Sequence, residues 1–424
     1  GRPHRTTEEE NMHRRTLKDR LVVAAMAAVL PTATGCVNAG EEPPATQSAA
    51  PYAAWQNGPG SGADYFPIAV WLQSPANAPK YKEIGINLFV GLWEGPTEKQ
   101  LAELRKHGMP VICDQNGWAL QHLDEKTIVG WMHGDEPDNA QSLGAGKGYG
   151  PPVAPTKIVE DYQRIKTNDP RRPVMLNLGQ GVAWDGWYGR GVRTNHPEDY
   201  AEYVPGCDIA SFDIYPAVHD RPEVAGKLWY VPRGVSRLRQ WTAGRQLVWN
   251  CVECTRISNA NVKPTPAQVK AEVWMALIHG SQGLIYFAHQ FKPSFVEAGL
   301  LADPEMSQAV GRLNSQIHEL APVLNSPTVE GAVTVEATPA EVDPERAKLL
   351  PGEPLATMVK RHGGSTYVFA AQMENTPASA SFSVAGVPGK TTAEVLGEGR
   401  SLAVQDGEFA DTFESYGVHL YRIR

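Results

Sequence analysis

From Tyr65 onward the chain alternates short apolar runs with stretches whose apolar residues recur at helical spacing, and it does so eight times. This alternation is the strongest constraint on the fold, because a strand, a crossover helix and a parallel strand can pack in few ways. The runs are Phe66 to Gln73, Asn87 to Trp93, Pro110 to Asn116, Ile128 to Gly134, Pro173 to Leu178, Ile209 to Tyr215, Gln246 to Glu253 and Gly283 to His289. Between them, Thr97 to His107 reads as a helix with Thr97 as its cap and Gly108 as its stop. Pro155 to Thr167, Leu228 to Thr242 and Thr265 to His279 also carry helical spacing. Eight such units in about 250 residues predict an α/β fold, a closed (β/α)8 TIM barrel, over residues 64–327. The alternative is a doubly wound open sheet, but no Gly-rich phosphate loop follows its first run.

After a last helix, Ser307 to Leu320, and the break at Asn325-Ser326-Pro327, the pattern changes. Val333 to Glu336, Ala356 to Arg361, Thr366 to Met373, Ala380 to Val384 and Val418 to Ile423 read as short strands, with Gly363-Gly364 as a hairpin turn. They predict a small C-terminal β-sandwich over residues 328–424. At the other end, residues 37–63 are polar, Pro/Ala/Gly-rich and unpatterned, the composition of a flexible linker. Residues 1–36 read as an N-terminal extension and a targeting segment. Arg14, Arg15, Lys18 and Arg20 precede the apolar run Leu21 to Leu30, which is too short to span a bilayer. Ala33-Thr34-Gly35-Cys36 then resembles the lipobox of bacterial lipoproteins, which implies export and lipidation at Cys36. Membrane association is expected only through that anchor, and simple secretion is the alternative.

Composition narrows the partners. A formal charge of -8, from 39 basic and 47 acidic residues, provides no basic field to neutralise a phosphate backbone, so nucleic acid is not an expected partner. Cys251 and Cys254 form a C-x-x-C, but Cys113 and Cys207 stand alone, so a zinc site lacks its second pair. The four read as buried thiols, and neither a metal nor a cofactor is expected.

In a closed barrel the loops at the C-terminal ends of the strands form the open concave face, so carboxylates there carry the information. The fourth run ends in His133-Gly134-Asp135-Glu136-Pro137-Asp138 and the seventh in Asn250-Cys251-Val252-Glu253-Cys254. Two carboxyl groups facing each other across such a mouth supply what acetal hydrolysis requires. One protonates the leaving oxygen, and the other attacks the anomeric carbon or activates water. Further candidates for substrate contact are Asp135, Asn177, Trp184, Trp187, Asp213, Tyr215, Trp249, Tyr286 and His289. Trp184 and Trp187 stand among glycines, where sugar stacking is a better expectation than core packing.

At these residues the chain resembles clan A of the glycoside hydrolases over roughly residues 65–325. The resemblance rests on Asp135-Glu136-Pro137, on Glu253 at the tip of an apolar strand, and on Asp213-Ile214-Tyr215-Pro216. The segment from Ala271 to Phe287 looks like the last helix and strand of galactosidase-like members. The resemblance implies a retaining glycosidase acting on an extracytoplasmic glycan, with Glu136 as acid/base, Glu253 as nucleophile about 5 Å away, and Tyr215 touching the nucleophile. The chain departs from the pattern at Asp135, where clan members usually carry Asn. A non-catalytic glycan-binding lipoprotein is the alternative from another class, and an inverting hydrolase or a lyase shares the barrel. An amidohydrolase would show His-x-His at the end of the first strand, which here reads Val70-Trp71-Leu72-Gln73.

Overall fold

The computed structural model describes residues 51–424, so Cys36 and the targeting segment lie outside the described residues. Eight parallel strands form the first sheet. They are β1 (Ile68–Trp71), β2 (Leu88–Val90), β3 (Val111–Asp114), β4 (Ile128–Met132), β5 (Val174–Leu178), β6 (Ile209–Phe212), β7 in two pieces (Leu247–Val248 and Asn250–Glu253) and β8 (Leu284–Phe287). Neighbours in sequence pair in order. The first piece of β7 pairs with β6, the second with β8, and β8 pairs with β1, which closes the barrel. Trp249 lies between the two pieces, and its N–H still donates to Ala210 O at 2.9 Å, so the ladder continues through the break.

A helix follows every strand: α1 (Ala78–Glu83), α2 (Glu98–Lys106), α3 (Gly117–Gln121), α4 (Pro155–Asn168), α5 (Tyr200–Tyr203), α6 (Tyr230–Thr242), α7 (Pro266–Ile278) and α8 (Pro304–Leu324). Local chemistry sets their starts. Thr97 and Thr265 each close a capping box, with Gln100 and Gln268 respectively, at the heads of α2 and α7. Strand pleating then divides the side chains into two cores. Ala69, Leu88, Ile112, Met175, Cys251 and Ile285 fill the barrel, while Val70, Phe89, Val174, Phe212 and Val252 pack outward on the helices. Gly130 is required by this packing, because a Cβ there would come within 2.8 Å of Ile112 Cγ1.

The end of the barrel opposite the mouth corrects one expectation. Composition marked residues up to 63 as flexible linker, but Tyr52 is buried. Its hydroxyl donates to Gln282 O at 2.6 Å and accepts from Trp249 Nε1 at 2.8 Å. An aromatic with two hydrogen bonds under the barrel outweighs the disorder tendency of its Gly- and Pro-rich neighbours.

The second sheet has eight antiparallel strands: β9 (Val333–Pro339), β10 (Leu355–His362), β11 (Ser365–Gln372), β12 (Ala378–Val384), β13 (Lys390–Val395), β14 (Arg400–Gln405), β15 (Glu408–Phe413) and β16 (Val418–Ile423). Their order is β9-β12-β15-β14-β13-β16-β11-β10. They wrap a core that includes Val335, Val368, Phe382, Phe409 and Tyr421, giving a β-sandwich. The Gly363-Gly364 turn joins β10 to β11 with both residues at positive φ, +56° and +76°, as a two-residue hairpin requires. Strands β13 to β15 and the short helix α9 (Pro344–Leu349) were not legible in the apolar pattern. The sandwich sits on α7, where the Trp274 and Phe369 rings lie 5.3 Å apart.

Candidate active site

The loop after β4 carries Asp135 and Glu136, and the segment after β6 carries Asp213. Glu136 has φ +43°, a conformation costly for a residue with a Cβ. Leu72 after β1 and Glu94 after β2 also have positive φ, +47° and +51°. Three such outliers around one barrel mouth are the kind of local strain that functional loops store.

The three carboxyls form one electrostatic unit. Burial, then the neighbouring Asp213 and Asp135, hold Glu136 well above the usual carboxylate range. Asp213 is close enough to influence it, and its own carboxyl is pushed by burial to about 7. Glu136 Oε2 also accepts from Asn139 Nδ2 at 2.8 Å, and Asn139 Oδ1 in turn accepts from Trp187 Nε1 at 2.8 Å. Asp135 opens onto the mouth. Desolvation raises it to about 6, against the opposing hydrogen bond from Asn177 Nδ2 at 2.9 Å. Neighbouring acids whose ionisation is held apart in this way can divide proton donation from attack. Asp213 Oδ1 and the Tyr215 hydroxyl are buried without a hydrogen-bond partner. Tyr215 lies close enough to favour ionised Asp213, but not at hydrogen-bonding geometry.

Beside Asp135 a cleft of about 1160 Å³ crosses the loops after β1, β2 and β8, with Trp71, Trp93, Phe287, Phe291 and Phe295 among its walls. His289 lines it too, 5.8 Å from the Phe295 ring in a stacked arrangement.

Several sequence candidates lie elsewhere. Glu253 is fully buried, and its carboxylate accepts from the backbone N–H groups of Ala217 at 2.6 Å and Val218 at 2.9 Å. Its acidic neighbour is Glu272 on α7, not the acids of the mouth. Cys251, one pleat earlier, faces Asp213, Asp135 and Glu136 instead. The expected Glu136/Glu253 pair therefore does not face across the mouth, because the turn after Tyr215 closes over Glu253. Trp249 is at the closed end with Tyr52, and Tyr286 points outward to donate to Asn314 Oδ1 at 2.9 Å. Asn177 is buried and positions Asp135 while accepting from Ser211 Oγ at 2.7 Å, so its amide is used within the protein. Trp184 and Trp187 are half-buried beside His219 and Asn139 and do not line the large cleft.

The aromatic wall has no compact sequence signature, because its residues are spread over three loops. The Phe291-Lys292-Pro293-Ser294-Phe295 stretch directly after β8 was its one readable signal.

Glu253 and Glu272 form a buried acid pair in the barrel wall. Burial raises Glu253 to about 7, and burial together with Glu253 holds Glu272 well above its ordinary range. Both folded-state pKa values lie above the unfolded ones, so the folded chain binds more protons as pH passes from the ordinary carboxyl range upward, and stability falls over that window. Glu272→Gln keeps the size of the side chain and removes one titrating group. Urea midpoints at pH 5 and pH 8 should differ less in the variant than in the wild type; an unchanged difference would show that the pair does not carry the pH dependence.

The same architecture occurs in solved barrel glycoside hydrolases. A variant of AmyP in complex with maltotriose matches at 10% identity over 85% of this chain and 97% of that one, with a TM-score of 0.52. A candidate alpha-galactosidase from Bacteroides fragilis matches at 9% identity over 86% of this chain and 80% of that one, with a TM-score of 0.52. A candidate alpha-galactosidase/melibiase from the same organism gives 10% identity, 85% and 80% coverage and a TM-score of 0.50. At these identities the likeness is one of fold. No family model and no curated protein matches the chain.

Proposed function

We propose that the chain hydrolyses O-glycosidic bonds of a glycan by retaining double displacement, with Asp135 as the nucleophile and the Glu136/Asp213 pair as proton donor. The observation that carries this reading is the placement of three acids of separated ionisation at the C-terminal ends of β4 and β6, beside an aromatic cleft. Among the three, Asp135 lines that cleft and Asp213 and Glu136 hold the proton more tightly, so Asp135 ionises first. Its carboxylate forms a bond to the anomeric carbon as the leaving oxygen takes the proton from the pair. The pair, now a base, then removes a proton from the water that breaks the glycosyl–aspartate bond. The neighbour that binds maltotriose supports a carbohydrate as the ligand.

The test is covalent trapping. A 2-deoxy-2-fluoro glycoside with a dinitrophenolate leaving group should leave a glycosyl adduct on the peptide that contains Asp135, seen by mass spectrometry. An adduct on Glu253 would overturn the assignment. Binding without hydrolysis of any glycoside would replace the enzyme by a glycan-binding protein.

We also propose export and lipid attachment at Cys36, on the basic segment, short apolar run and Ala33-Thr34-Gly35-Cys36 sequence. Labelled palmitate should enter the wild type and not Cys36→Ser. Equal labelling of the two, or none in either, rejects the anchor.

A further inference from the structure

Three exposed aromatic side chains lie together on one side of the mouth. Trp93 is 72% exposed, Phe295 60% and Phe291 45%, and all three line the same cleft, with the two Phe rings 5.7 Å apart. A folded chain does not leave three large rings in water together for the sake of stability; contiguous apolar surface of this kind marks a binding face. The cleft is larger than the roughly 300–1,000 Å³ typical of sites that enclose one small ligand. Its charged lining is also one-sided, with Glu94, Glu103, Glu297 and Asp135 against Lys99 alone. Carboxylates around a cleft repel an anionic chain and leave an uncharged one unaffected. Pyranose rings present flat C–H faces that stack on Trp and Phe, and each successive ring can cover another unit.

We propose that this cleft holds a run of several uncharged sugar units leading to Asp135, and that it selects against glycans bearing uronate or sulfate groups. The inference rests on the glycosidase reading of the same mouth and names its substrate class, a neutral oligo- or polysaccharide chain gripped over several units. The acids handle one bond, and the rings of the β2 and β8 loops hold the chain beyond it.

The experiment uses the full chain carrying Asp135→Asn, so that ligands persist. Calorimetry would compare trimers and hexamers of uncharged gluco-, xylo-, manno- and galacto-oligosaccharides, with hexagalacturonate as the anionic counterpart. In at least one uncharged series the hexamer should bind about tenfold or more tightly than the trimer, as one further stacked ring would give. Adding Trp93→Ala, Phe291→Ala or Phe295→Ala should reduce that gain, and because these side chains are exposed the variants should keep the parent's circular dichroism. Hexagalacturonate should bind at least about tenfold more weakly than the preferred hexamer. Absence of a length gain in every series, a gain untouched by all three substitutions, or equal binding of hexagalacturonate would overturn the proposal. Aryl glycoside turnover by the wild type separates the two readings. Turnover without a length gain removes the extended cleft and keeps the enzyme, whereas a length gain without any turnover keeps the cleft and removes the enzyme.

Discussion

Asp135→Asn is expected to lose about 10⁴-fold or more in kcat on every glycoside the wild type cleaves, since no later step replaces a missing covalent bond. The amide is nearly isosteric and can still meet Asn177, so the loss should come without a change in fold. Glu136→Gln and Asp213→Asn should behave differently. Each removes part of the proton supply, worth about 10²–10⁴ on a poor leaving group and little on a dinitrophenolate. The wild-type rate should rise as pH climbs through about 6, where Asp135 ionises, and fall only where the Glu136/Asp213 pair loses its proton. Azide should restore Asp135→Ala with inverted product. If azide rescues Glu253→Ala and not Asp135→Ala, the nucleophile has been assigned to the wrong strand.

Glu253→Ala is the second large effect, and its seat is stability. The substitution strips the Ala217 and Val218 N–H groups of their shared acceptor and opens a void in a region with no access to solvent. Two unpaired buried N–H groups and the void together cost about 3–5 kcal/mol. A lower urea midpoint should therefore be the first measured change. Because Ala217 and Val218 follow Tyr215, activity should fall as well, through a displaced turn, without leaving-group dependence. A variant with an unchanged midpoint and no turnover would return Glu253 to the chemistry.

Strand and helix positions were written locally. Alternating apolar runs, the Thr97 and Thr265 capping boxes and the Gly363-Gly364 turn act over a few residues, so all eight barrel strands could be read from them. The sandwich was harder to read. In β13 to β15, Thr, Ser, Glu and Asp on the outer face dilute the apolar signal, and pairing with distant strands specifies the structure.

The sequence by itself also determined which loops would carry acids, because Asp135, Glu136 and Asp213 directly follow apolar strands. Tertiary structure decided which acids meet. Glu253 has the inward parity of Cys251, yet the turn at Ala217 and Val218 offers two N–H donors and α7 offers Glu272. The two N–H donors satisfy a buried carboxylate that the mouth would have left against three other acids. Strand parity ends with the strand; beyond it, a carboxylate's position depends on hydrogen bonds from residues far along the chain. The aromatic wall has the same origin, because Trp93 and Phe295 are about two hundred residues apart and become neighbours only when β8 closes against β1.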